Sequence, residues 1–364
     1  MTSGHRTRVQ TSGRWGQHRR RRIRHTSLIT PAIPGSGCRL PTGMAFLGHR
    51  MLGAMPYQKS TMFTGTGPAA MNLCRGIATI LCLAITSAAP ALAQVVDAGR
   101  GAVPLAVPAG YDANVPTPLI VSLHGYTGSG EGHDRQWGIS ALADKYGFLS
   151  IAPDGAREEG GDRNRFWNAS DACCNFYQSE IDDAGYVRRI IDQIKASHNV
   201  DDSRVYVIGH SNGGFMSYRM AYEHSGVVAA IVSLAGASHQ APRDPPPYPV
   251  HVLQIHGTDD TTIPYRGGEI NEIRYPSALG SVTRWARHNG CDMSRVSREM
   301  RDLDASLPGH ETGVMKMNTG CRDGGSAELW TISDGAHGPV YSDTWGEQIV
   351  EWLLAHPKPA HLLR

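Results

Sequence analysis

The run Val205-Tyr206-Val207-Ile208-Gly209-His210-Ser211-Asn212-Gly213-Gly214, continuing into Phe215–Ala221, constrains this chain more than any other stretch. Four β-branched or aromatic residues form a short buried-strand segment, and a helix-forming segment begins directly after the glycines. Ser211 falls at the bend between them. This is the arrangement of a nucleophile elbow, in which G-x-S-x-G forces a sharp turn that holds a serine hydroxyl clear of the backbone. Gly209 and Gly213 are needed where strand and helix pass too close for side chains. The structural alternative is a plain strand-to-helix turn with Ser211 as its capping residue.

Other apolar runs extend the same pattern. Pro118–His124 reads as the first core strand. It is closed by the glycine-rich Gly125–Gly130, whose backbone N–H groups are free to converge on a negative oxygen. A phosphate loop does not fit there, because the Lys-Ser or Lys-Thr pair is missing and the glycine spacing is wrong. Further strands are expected at Phe148–Ala152, Val227–Leu234, Val250–His256 and Glu328–Ile332. Helices are expected at Ile139–Tyr146, from Asp182 to about Ser197, at Ser277–His288 and at Ser342–His356. The polar segment Arg157–Ser179 shows no clear period and predicts a long loop over the site. Within it, Trp167 either stacks on a flat substrate group or pins the loop to the core. Strands alternating with helices imply an α/β fold, a mostly parallel sheet with helices on both faces.

The net charge of +2 averages two unlike regions. Residues 1–70 carry eleven Lys or Arg and no acidic residue, whereas residues 94–364 carry 23 basic and 33 acidic side chains. The latter region is therefore acidic and offers no basic patch for nucleic acid. Between the two lie a short basic start at Met71–Gly76, the apolar run Ile77–Ile85 and the ending Ala91-Leu92-Ala93. This predicts a secretory signal peptide over 71–93, cleaved before Gln94, with an apolar core too short for a stable membrane span. Translation is expected to start at Met71, leaving 1–70 as a basic extension that is disordered or not translated, and 94–364 as one catalytic domain. Export makes disulfides plausible for the four cysteines that remain. Cys291 and Cys321 are the favoured pair, because each follows a turn and they flank a segment with little regular structure. The adjacent Cys173 and Cys174 could bond to each other, stay reduced or meet other partners. The spacing does not suit a four-thiolate zinc site, and no metal is expected.

A serine hydroxyl needs a base to take its proton, and the base needs an anion to hold its tautomer. In parallel sheets such groups sit beyond the carboxyl ends of strands. Asp259 and Asp260 follow one such end, and spacing does not choose between them. His337 follows the last strand, between glycines that leave its ring room. His210 and His256 read as packing or hydrogen-bonding residues, and His288, His356 and His361 as capping or solvated ones. The order Ser, Asp, His is that of α/β-hydrolases.

The matching residues are Leu123-His124-Gly125, Trp167-Asn168, Cys173-Cys174, Asp182-Asp183, Gly209–Gly214, His256-Gly257-Thr258, Asp260, Ile263-Pro264-Tyr265, Asn289-Gly290-Cys291, Cys321 and Leu329-Trp330-Thr331-Ile332. On these the chain resembles, from roughly Pro118 to Trp352, the secreted α/β-hydrolase esterases that include polyhydroxybutyrate depolymerases and bacterial feruloyl esterases. The resemblance implies Ser211 as nucleophile, His337 as base and Asp260 as orienting acid. It also implies an oxyanion hole from the backbone at Asn212 and Tyr126. The expected activity is hydrolysis of a carboxylic ester through an acyl-enzyme, without metal or organic cofactor. The substrate would be a hydroxyalkanoate oligomer or a plant-wall feruloyl or acetyl ester. An acyltransferase or peptidase would use the same three residues, and a non-catalytic surface-binding module is the alternative from another class. The chain departs from the family in lacking the tryptophan often found after the histidine, and in carrying Tyr222 where many relatives have a cysteine.

Overall fold

The computed structural model describes residues 94–363. The stretches expected to be a basic extension and a signal peptide, with Cys38, Cys74 and Cys82, lie outside the described residues. The chain begins with β1 (Gln94–Val96), β2 (Val103–Ala106) and β3 (Thr117–Leu123), then α1 (Gly130–Trp137), α2 (Ala143–Tyr146) and β4 (Leu149–Ile151). A small hairpin of β5 (Ala156–Arg157) and β6 (Arg165–Phe166) precedes α3 (Asp183–Ser197), β7 (Val200–His210) and α4 (Asn212–Glu223). Next come β8 (Ala230–Leu234), β9 (His251–Gly257), a second hairpin of β10 (Gly268–Ile270) and β11 (Ile273–Tyr275), and α5 (Ala278–His288). The chain closes with β12 (Ser297–Arg301), β13 (Thr312–Met317), β14 (Ser326–Ile332) and α6 (Trp345–Leu354).

Ten of these strands form one sheet, ordered β1-β2-β4-β3-β7-β8-β9-β14-β13-β12. The central strands from β4 to β14 are parallel, and the outer pairings on both sides are antiparallel. Successive residues of a strand point to opposite faces. Leu119, Val121, Val205 and Val207 therefore enter one core with α3, α4 and α5, while Ile120, Tyr206 and Ile208 enter the other with Trp137 and α6. Helices cover both faces, as the alternation of apolar runs implies. The register leaves Leu123 beside Gly209, His210 beside Leu234 and Gly257 beside Ile332. The loops that follow β3, β7, β9 and β14 therefore leave the sheet at one edge.

Three expectations are corrected. Gly125–Gly130 leads straight into α1, where Ser129 caps the helix by accepting from the Gly132 N–H. Two glycines in its first turn hide this helix from propensity. Ile139–Tyr146 divides into a 3₁₀ turn at Ser140–Leu142 and the single-turn α2. The segment between Cys291 and Cys321 is not irregular, because it holds β12 and β13, and its cysteines form a disulfide. The polar Ser297–Arg301 lacks an apolar period because it is the edge strand of the sheet. The expected loop at Arg157–Ser179 is present, and the β5–β6 hairpin reaches into it.

Candidate active site

The elbow owes its shape to close backbone approaches. A Cβ on Gly209 would lie 2.4 Å from the Gly213 carbonyl carbon, and one on Gly213 would lie 2.1 Å from the Leu123 oxygen. Ser211 between them is held at φ 54°, ψ −119°, a region that L-residues rarely occupy. Its N–H donates to the Leu234 carbonyl at 2.7 Å, which ties the bend to the end of β8. The serine is 8% exposed.

Two further turns meet at the ends of β9 and β14. A Cβ on Gly257 would lie 2.1 Å from the Gly335 oxygen, so the two backbones nearly touch. Thr258 and Asp259 donate their N–H groups to Ile332 and Gly335, both at 2.9 Å, and Asp334 N–H donates to Thr258 Oγ1 at 2.8 Å. This seam carries His337 to Asp260. The imidazole Nδ1–H donates to Asp260 Oδ2 at 2.8 Å, because an ionised carboxylate can only accept. The other ring nitrogen is thereby left as an acceptor. Asp259 points out to solvent and Asp260 is buried, which separates the two aspartates that spacing could not.

Asp260 is buried, which alone would raise its pKa, but hydrogen bonds from His256 and His337 and from the Ile263 backbone hold it well below the usual carboxylate range. Thr262 and Ile263 N–H groups donate to Oδ1 at 2.9 and 2.8 Å. His256 Nε2 lies 3.2 Å from Oδ2 while also donating to the Ile263 carbonyl at 2.7 Å. Its Nδ1 accepts from Gln254 Nε2 at 3.1 Å, and Gln254 Oε1 accepts from Tyr218 Oη at 2.9 Å. A buried chain of hydrogen bonds thus runs from α4 through β9 to Asp260 and His337. The sequence did not single out Gln254 and Tyr218; the available signal was an amide in the interior of the strand run Val252–Ile255. His210 also supports the site, with Nε2 donating to the His337 carbonyl at 2.8 Å and the two rings 4.9 Å apart.

Ser211 and His337 border one cavity of about 490 Å³, which is walled opposite by Tyr126, His133, Gln136 and Arg165. The loop carrying Tyr126 is braced by His124. Its Nδ1 donates to the Gly125 carbonyl at 2.7 Å, and its Nε2 accepts from Gly155 N–H at 2.9 Å. The N–H groups of Thr127 and Gly128 are committed to Arg165 and Gly125 carbonyls. The Tyr126 hydroxyl donates to Glu158 Oε1 at 2.5 Å. Asn212 opens α4, where N–H groups have no partner within the helix. Its side chain is fully buried and exchanges hydrogen bonds with the Trp167 backbone, at 2.7 Å from Trp167 N–H and 2.9 Å to Trp167 O.

Trp167 takes the packing role of the two considered. It is 0% exposed, and its indole N–H donates to the His124 carbonyl at 2.9 Å, so it braces the loop and presents no face to a substrate. Cys173 and Cys174 are joined to each other, and Cys173 Sγ lies 3.6 Å from the Asn212 amide. Among the described residues no cluster of three metal-ligating side chains occurs, and no helix is long and apolar enough to cross a membrane.

The parallel sheet, the serine elbow at its carboxyl edge and the Asp-His pair beside it define an α/β-hydrolase. An acetyl xylan esterase from Aspergillus awamori superposes with a TM-score of 0.50 at 18% identity, covering 71% of this chain and 98% of that one, a likeness of fold alone. Residues 102–241 match the family model described as Esterase PHB depolymerase. Two named relatives agree. Feruloyl esterase B of Piromyces equi is 26% identical over 239 residues, 63% of this chain and 41% of that protein. Poly(3-hydroxyalkanoate) depolymerase C of Paucimonas lemoignei is 32% identical over 139 residues, 37% of this chain and 31% of that protein. The chain thus spans well under half the length of these relatives.

Proposed function

We propose that this chain is an exported serine carboxylic ester hydrolase working through an acyl-enzyme. The observation that carries the reading is the 2.8 Å His337–Asp260 hydrogen bond on the rim of the cavity that holds Ser211. His337 takes the Ser211 proton at its free nitrogen as the hydroxyl oxygen attacks the ester carbonyl. Backbone N–H groups of Asn212 and Tyr126 receive the negative oxygen of the tetrahedral intermediate. The proton then passes from His337 to the leaving alcohol, and a water molecule activated by the same imidazole releases the acid. None of these steps calls on a metal or an organic cofactor. The names of the relatives favour hydroxyalkanoate or feruloyl esters as substrates.

Replacing Ser211 by Ala tests the reading. Hydrolysis of nitrophenyl acetate and methyl ferulate is expected to fall by about 10⁴-fold or more. Turnover retained at the parent level removes Ser211 as nucleophile.

A further inference from the structure

Small-molecule pockets are lined mainly by apolar side chains, with a few polar groups that fix orientation. The cavity at Ser211 reverses that balance. Among the described residues that border it there is no Leu, Ile, Val, Met, Phe or Trp, and Tyr126 supplies the one phenol ring. Arg165 is likewise the one Lys, Arg, Asp or Glu on its wall. Burial pushes the imidazoles of His124, His133 and His210 below their ordinary pKa, so at neutral pH these rings add no charge.

The surroundings of Arg165 fix where its head group lies. Its Nε is 2.8 Å from Asp154 Oδ2, and the other Asp154 oxygen accepts from the Gly130 N–H at 2.8 Å, next to Ser129 on the cavity wall. Its charge also reaches the ring of His124, a second part of that wall. The backbone is tied down too, with the Arg165 carbonyl accepting from Thr127 N–H at 2.8 Å. Asp154 thus meets the guanidinium at Nε. Among the described residues neither terminal nitrogen makes a hydrogen bond, and the side chain is 27% exposed.

A guanidinium holds its N–H donors in a rigid plane, and the edge formed by the two terminal nitrogens matches a carboxylate in a paired, two-bond contact. A hydroxyl or a neutral carbonyl would occupy a donor without matching the charge. The esters favoured for this site divide on the point. A chain of ester-linked hydroxy acids ends in a free carboxylate, a short carbon spacer from its last ester oxygen. A feruloyl ester of a neutral sugar has no carboxylate, and its ring would find no large aliphatic side chain on this wall.

We propose that Arg165 sets specificity by receiving a substrate carboxylate, so that the preferred substrates are short hydroxy-acid ester oligomers with a free acid end. The choice of substrate rests on the hydrolytic reading, whereas the carboxylate contact is tested by binding alone. The probes are the linear dimer of 3-hydroxybutyrate and its terminal amide, which has the same shape without the charge. Calorimetric titration of the full chain carrying Ser211→Ala is expected to show the acid bound about tenfold or more tighter than the amide. Adding Arg165→Gln should bring the two affinities together, with the melting temperature confirming the fold. Equal affinities before that change, or no binding of either probe, overturn the proposal. So does a preference for the acid that survives in a folded Arg165→Gln variant. If that variant does not fold, Arg165→Lys replaces it: a single ammonium loses the paired contact, and a preference as large as with Arg165 overturns the proposal. Preferential binding of the acid without turnover of the dimer by the parent would keep this assignment and remove the hydrolytic one.

Discussion

Four N–H groups converge on the carboxylate of Asp260, two from the backbone at Thr262 and Ile263 and two from imidazoles at His337 and His256. An amide at this position cannot accept from all four. Asp260→Asn is expected to lower kcat by about 10⁴-fold, because the imidazole loses the partner that holds its tautomer. The same change has a pH signature. A carboxyl whose folded pKa is depressed contributes stability that is complete above its unfolded value and is lost as pH falls through the folded one. The stability gap between the parent and Asp260→Asn should therefore be widest near neutral pH and narrow below about pH 4, as urea unfolding at a series of pH values would read. His256→Phe keeps the ring but removes its donor to Asp260. We expect a fall in kcat of about tenfold with KM unchanged, the pattern of a group that acts on the transition state through another residue.

At the level of elements, the elbow depends on two glycines that cannot be exchanged. A methyl group on Gly209 or Gly213 would meet backbone atoms at 2.4 or 2.1 Å, and backbone cannot move aside as a flexible side chain can. Gly213→Ala is expected to cost about 3 kcal/mol or more in chemical denaturation, and to abolish soluble expression if the elbow forms early. This geometry is legible in a sequence because its steric demand is local: strand, bend and helix lie within the 17 residues Val205–Ala221. The position of His337 was legible for a similar reason, since it follows a strand end. The choice of Asp260 over Asp259 was not, because it turns on which side of a tight turn faces the seam with Gly335. Trp167 was ambiguous because its partner, the His124 carbonyl, lies 43 residues away. The α1 helix and β12 were hidden for opposite reasons, glycines opening a helix and polar residues filling an edge strand.

Across the whole molecule, several histidines are buried in neutral form. Burial, with His337 next, brings His210 down to about 4, and burial with neighbouring cations brings His239 and His251 to about 3. Between an unfolded value near 6.5 and these folded values, the unfolded chain binds protons that the native one does not. Stability should therefore fall as pH drops from about 6.5 toward 4, by up to about 1.4 kcal/mol per pH unit for each such histidine. Melting temperatures at pH 7 and pH 5 would show the decline, and His239→Phe should make it shallower. A parent whose melting temperature rises on acidification contradicts this account.

The amide of Asn212 holds Trp167 by both its backbone groups, and Asn175 and Ser179 bind each other at 2.9 and 2.7 Å further along the same loop. Between and beyond these anchors the chain turns outward, with Phe176 and Tyr177 at 38% and 47% exposure. Phe176 meets the Tyr126 ring edge-on at 5.2 Å, so this outward tip leans on the wall of the cavity that Ser211 borders. Breeding a variant for a new ester could begin by shuffling that tip, because its changes would be passed to the pocket through a single ring contact.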